Sequence, residues 1–325
     1  MEHAPAPEVL IAPQPASDDL RRRLRLSDLS LHGASLAGAA IAVALLVGIV
    51  WKVVDLARPA ISKFGLGFIT DSSWNPVTNK YGAWDFLVGT LISSVGALVI
   101  AGPLAVGIAI YLTELSPRWV RQPLAILVEL LAAIPSVVLG LWGILVLGPF
   151  VHTHLEPWLN GALGWIPLFS GDASPVGMLP AILILALMML PIITSISREV
   201  LLTAPRDMRD GALALGVTRW EMIRGIVLPY ARPGIAAAMM LGLARALGEA
   251  IAVTQVIGSA TGIHVGLFGP ADTLASRIAS QYQGAASDIQ VAAIAYLAVI
   301  LLVIALAVNV SARVIVATSV RRAAR

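Results

Sequence analysis

Six long apolar runs alternate with charged, Pro- and Gly-punctuated segments along this chain, near residues 30–52, 86–112, 123–148, 177–197, 234–257 and 289–312. Each approaches or exceeds the roughly 20 apolar residues that an α-helix takes to cross a bilayer. The pattern predicts an all-α integral membrane protein with six transmembrane helices. The first run begins about thirty residues in and is longer than the apolar part of a signal peptide, so it is expected to stay in the mature chain. Residues 1–28 read as a disordered tail ending in the basic anchor "RRRLRL", residues 29–318 as the transmembrane domain, and residues 319–325 as a second basic tail.

Composition agrees. Of 325 residues, 58% are hydrophobic and 13% charged, against about 25% charged in soluble domains, and the mean hydropathy is +0.86. With no cysteine, disulfides and thiolate metal sites are excluded. Basic residues set the orientation. If both termini are cytoplasmic, the inner segments hold Arg21 to Arg25, Arg118 and Arg121, the arginines from Arg198 to Arg232, and those from Arg313 to Arg325. Outside stand Lys52, Arg58, Lys63, Lys80 and Arg277, and Arg245 alone is left inside the membrane. The net charge of +3 calls for no nucleic acid.

The outer segments 56–85 and 149–176 are rich in Pro, Gly and Trp, as in "WNPVTNKYGAW" and "EPWLNGALGWIPLF", and are expected to be interfacial loops with re-entrant pieces. His152 and His154 fall in the second, where no third metal ligand is in sight.

The segment 203–229, "TAPRDMRDGALALGVTRWEMIRGIVLP", is too well punctuated for a plain loop. Pro205 suits a first helical turn, and Gly216 stands where a left-handed residue closes a helix. Thr218 and Glu221 then have the spacing of a capping box that opens a second helix, expected to run to about Val227 before Leu228 and Pro229. Such a hairpin fits either a groove on another protein or the lipid surface.

Here the residues resemble a known signature. "DGALALG", followed nine residues later by "IVLP", is similar to the E-A-A, three residues, Gly, nine residues, Ile-x-Leu-Pro motif of ABC-importer membrane subunits. Asp210, Gly211, Ala212, Gly216, Ile226, Leu228 and Pro229 occupy it, with Asp210 in place of Glu and Gly211 in place of Ala. "FITDSSWNPVTNKYGAWDFLVGTLISS" (68–94), "AIPSVVLGLWG" (133–143) and "RALGEAIAV" (245–253) resemble the PstC-type permease of the phosphate-specific system, over roughly residues 60–315. The PstA-type subunit is similar in its core, but the "WNP...YGAW" segment favours the PstC type.

The resemblance implies the type I ABC-importer permease fold, with residues 203–229 as coupling helices seated in a cytoplasmic ATPase. It implies an inner-membrane subunit forming half of the path for inorganic phosphate. The expected partners are a PstA-type permease, a PstB-type ATPase dimer, a PstS-type phosphate-binding protein and membrane lipid, with no cofactor. The only lysines, Lys52, Lys63 and Lys80, lie outside any phosphate-cradling G-x-x-x-x-G-K-[ST] loop, so ATP hydrolysis is expected on a separate subunit. Importers of sulfate, molybdate or phosphonate, and a scaffold or sensor subunit outside the pore, remain open as alternatives.

Inside the membrane, a charge near mid-helix costs about 2.5 to 3.5 kcal/mol on insertion scales. Arg245 and Glu249 are four residues apart, so on one continuous helix they meet, either as a self-neutralising pair or as a pair that yields when an anion takes the guanidinium. Pro135 breaks another apolar run, freeing backbone groups, and places Ser136 as a second candidate contact of the substrate pathway.

Overall fold

The computed structural model describes residues 18–169, 174–262 and 266–323. The chain divides into two compact units, residues 1–52 and 53–325. The first helix, Asp18–Phe64, starts in the former, and the apolar side chains from Leu31 to Val50 are exposed. Residues 18–28, expected in the tail, are therefore helical, while residues 1–17 lie outside the described part.

Among the described residues, six helices are long and apolar enough to cross a membrane: Leu31–Phe64, Trp84–Leu115, Ser136–Leu163, Met178–Leu202, Arg219–Leu247 and Asp288–Ser311. The third differs from expectation. Pro135 is extended, with φ −60° and ψ 139°, and separates an amphipathic helix, Arg118–Ala133, from the span that starts at Ser136. Polar Arg121, Gln122 and Glu129 keep the first piece out of a fully apolar setting, and the apolar stretch resumes only after the proline. The span then runs on through residues read as a loop, because Pro149 falls at a helix start and Pro157 in the first turn of Glu156–Leu163, where a missing N–H is harmless.

The span Met178–Leu202 is the core helix of the second unit, burying Leu185, Met189 and Ile193. Small residues let its neighbours approach: Ala97, Ala101 and Ala105 of the second span are fully buried. Glycines on the third and fifth spans face it too. A Cβ on Gly143 would meet Ile184, one on Gly234 would meet Val200, and one on Gly242 would meet Ile193. With lipid on the outside, such close backbone packing replaces the hydrophobic effect as the force between helices.

The two ends of this bundle are built differently. At one end, Arg206–Ala214 and the helix opening at Arg219 form the hairpin read from sequence. At the far end, residues 257–262 and 266–277 fold back over the start of the second span. There Asp85 Oδ2 accepts from the Gly262 N–H at 2.7 Å, and the Leu274 N–H donates to Thr90 Oγ1 at 2.9 Å. The Asp272 carbonyl lies directly over Gly89, so close that any Cβ there would collide with it.

Beneath this fold-back Arg277 and Asp272 form an ion pair, Nε to Oδ2 at 2.8 Å, with side chains 6% and 0% exposed. The guanidinium also sits 4.6 Å from the Phe86 ring centroid and 5.8 Å from that of Trp74. Trp74 belongs to a two-stranded hairpin, Trp74–Asn75 against Lys80–Tyr81. Burial pushes the Asp272 carboxyl up and the Arg277 guanidinium down, each opposed by the attraction of its partner. Arg277, placed at an outer surface by charge counting, is thus a buried fastener of the far end.

Candidate functional site

Two helix starts converge at half-depth. The segment opening at Ser136 packs on the short helix Ile251–Val256, and a Cβ on Gly140 would meet Ala252 and Gln255, while one on Gly143 would meet Val256. The contacts advance in the same direction on both, so the helices run parallel, with Pro135 and Ala250 at neighbouring ends. Arg245 shares a cavity of about 60 Å³ with Leu131, Ala132, Ile134, Leu139, Met188, Pro191 and Ile192. Met188 and Pro191 stand midway along Met178–Leu202, which fixes the depth of the guanidinium near the centre of that span.

The expected Arg245–Glu249 pair does not form. The fifth span ends at Leu247, Gly248 is its C-cap, and the chain restarts as a helix only at Ile251. The two residues therefore lie on different segments, and no ion pair joins them. Glu249 instead turns forward: its Oε1 accepts from the Ala252 N–H at 3.3 Å, satisfying a free donor at the start of Ile251–Val256. A carboxylate there also opposes the positive end of the helix dipole. Arg245 is exposed and has no hydrogen bond or ion pair among the described residues. Pro135 is exposed and Ser136 half-buried beside this break.

Most other polar groups in the spans are satisfied locally, by turns of their own helix. Ser94 bonds the Thr90 carbonyl at 2.6 Å, Thr254 that of Ala250 at 2.7 Å, and Asn309 that of Ala305 at 2.8 Å. His152 stands 3.7 Å from Glu156, which also accepts from the Ser174 N–H, and His154 stacks on Phe150.

The hairpin carries the expected chemistry. Gly216 has φ +84°, the left-handed conformation in which a Cβ is strained. The Thr218 N–H donates to Glu221 Oε2 at 2.8 Å, and the Glu221 N–H donates to Thr218 Oγ1 at 3.3 Å, which closes the capping box. Leu228 and Pro229, expected to end the second helix, do not. A wider turn at Ile223–Val227 accommodates the missing proline donor, and the helix continues into the fifth span.

Ala212 is buried against the bundle with Met222 and Ile223, whereas Asp210, Gly211 and Gly216 face outward. Leu215, Val217 and Trp220 form an exposed apolar tip. A feature that sequence reading missed holds the hairpin in place: Arg209 Nη2 lies 3.1 Å from Glu114 Oε1 and donates to the Leu201 carbonyl at 2.6 Å. One guanidinium thereby ties the hairpin to the ends of the second and fourth spans. Sequence offers no local sign of the ion pair, because Glu114 and Arg209 are far apart in the chain.

Residues 104–324 match the family described as binding-protein-dependent transport system inner membrane component. The phosphate transport system permease protein PstC of Mesorhizobium japonicum is 42% identical over 310 residues, covering 94% of this chain and 95% of its own. PstC 2 of Mycobacterium tuberculosis is 40% identical over 319 residues, covering 95% and 97%. This chain belongs to the PstC-type permease family. The fold agrees with that of a solved bacterial alginate ABC transporter, with a TM-score of 0.57 at 19% identity over 93% of this chain and 98% of the other. The permease thus places a motif-bearing hairpin at one end of its bundle and, at mid-depth, an arginine with no partner among the described residues.

Proposed function

We propose that this permease forms half of the translocation path of an ATP-driven importer of inorganic phosphate. Arg245 is the phosphate contact, and Pro135, Ser136 and Glu249 shape the site around it. The observation that carries this reading is a guanidinium with no partner among the described residues, at the junction of two broken helices, in a chain whose relatives are named phosphate permeases. An arginine is always charged and presents a planar fork that matches two phosphate oxygens, so an anion supplies the counter-charge that the chain withholds. Glu249 stays engaged at the Ile251–Val256 helix start, which leaves the guanidinium free for the anion.

The second half of the path would come from a PstA-type subunit, and the anion from a PstS-type binding protein on the far end. The hairpin would seat in a PstB-type ATPase on the cytoplasmic side, its apolar tip entering a cleft and Arg209 passing the movement to the second and fourth spans. Both termini would then be cytoplasmic. Uptake by the assembled complex, with sulfate and molybdate as competitors, tests the substrate. Phosphate transport inhibited by excess phosphate alone supports the reading; equal inhibition by sulfate would mean an oxyanion importer that does not single out phosphate.

Gly216→Val is expected to abolish co-purification of the ATPase, or its stimulation by substrate. No neighbouring atom crowds a Cβ at Gly216, so the effect arises from the positive φ. Gly211→Ala, where a Cβ also meets open space, should preserve coupling and stabilise the first hairpin helix by about 1 kcal/mol. ATPase assays on both variants check the pair.

A further inference from the structure

A second cationic recess lies along the same seam as Arg245. The helix Arg118–Ala133 and the end of Met178–Leu202 nearer the hairpin enclose about 460 Å³ lined by Arg121, Gln122, Ala125, Ile126, Glu129 and Arg198. The cavity of Arg245 is bounded by these two helices as well, through Leu131 and Ala132 on one and Met188, Pro191 and Ile192 on the other. Arg198 stands six residues beyond Ile192, about 9 Å further toward the hairpin at 1.5 Å per residue.

The two arginines are held differently. Arg121 Nη2 donates to the carbonyls of Thr113 at 3.0 Å and Ser116 at 3.3 Å, which fixes one guanidinium in place while leaving further donors over. Arg198, half-buried, has no hydrogen bond or ion pair among the described residues. Glu129 is the one carboxylate in the lining, so the recess carries an excess of positive charge. Basic residues at an inner membrane boundary ordinarily point into water. Here two of them from different helices converge on one hollow, one anchored and one free.

We propose that this recess binds a phosphate group. Its place beyond Arg245 makes the transported anion, on its way to the hairpin side, the expected occupant, which rests on the phosphate reading above. The phosphodiester of an anionic lipid is the other source of the same chemistry.

The absence of cysteine allows a clean test, because Gln122→Cys gives this subunit a single thiol at the rim. The assembled importer is placed in nanodiscs of zwitterionic lipid, and alkylation of that thiol by a water-soluble maleimide is followed on this subunit by mass spectrometry. Inorganic phosphate should slow alkylation relative to chloride of equal ionic strength. Arg198→Gln should raise the phosphate concentration needed by about tenfold. Protection without phosphate, seen only when anionic lipid is included and lost in Arg198→Gln, assigns the site to a lipid head group. Alkylation insensitive to phosphate and to lipid, or protection that survives Arg198→Gln, overturns the proposal. Phosphate uptake by the unaltered complex is measured alongside. Its absence would refute the importer reading without touching the labelling result.

Discussion

Arg245→Gln is expected to lower ATP-driven phosphate uptake by the assembled importer about a hundredfold, the scale of losing charge-assisted hydrogen bonds to an anion. Assembly should survive, because the side chain makes no ion pair or hydrogen bond among the described residues. Arg245→Lys keeps the charge and loses the fork, so its uptake should fall between the two. Radiolabelled phosphate entering proteoliposomes loaded for ATP hydrolysis provides the measurement. A structural arginine would show the opposite pattern, with poor assembly and normal uptake by whatever complex formed.

The largest effect on stability is expected at the far end of the bundle. Arg277→Met removes the partner of a fully buried carboxylate, and breaking such a pair costs about 3 to 5 kcal/mol. The ring faces of Phe86 and Trp74 lose their cation as well. The double variant Arg277→Met with Asp272→Asn should recover a large part of the loss, since no bare charge is then left buried. Thermal unfolding of the detergent-solubilised complex separates the outcomes. Equal melting of wild type and Arg277→Met would mean that the pair fastens nothing.

The contrast between these two arginines marks where sequence reasoning reached and where it stopped. Charge counting isolated Arg245 and set Arg277 at a surface, yet Arg277 is buried and Arg245 is exposed. Counting assigns a residue to a side of the membrane and cannot see that "DTLASR" begins a helix capped by Thr273, whose first turn brings Arg277 back onto Asp272. The Arg245–Glu249 pair failed for a related reason. Four-residue spacing implies contact only if the helix is unbroken, and Gly248 between them was the available sign that it is not.

The third span was displaced because an amphipathic helix and an apolar one run together in a hydropathy window, with Pro135 as the true boundary. The hairpin was legible almost in full. Its turn depends on local chemistry, a glycine at positive φ and a reciprocal cap three residues apart, and both can be read without knowing the tertiary fold. The Arg209–Glu114 link joins elements that only folding brings together.

The central claim is that phosphate meets Arg245 at the junction of the helices opening at Ser136 and Ile251. A structure of the assembled complex with phosphate trapped in the membrane tests it most directly. The account predicts a phosphate within hydrogen-bonding distance of the Arg245 guanidinium, with Glu249 still bonded to the Ala252 N–H. A phosphate held elsewhere while Arg245 pairs with Glu249 would contradict it.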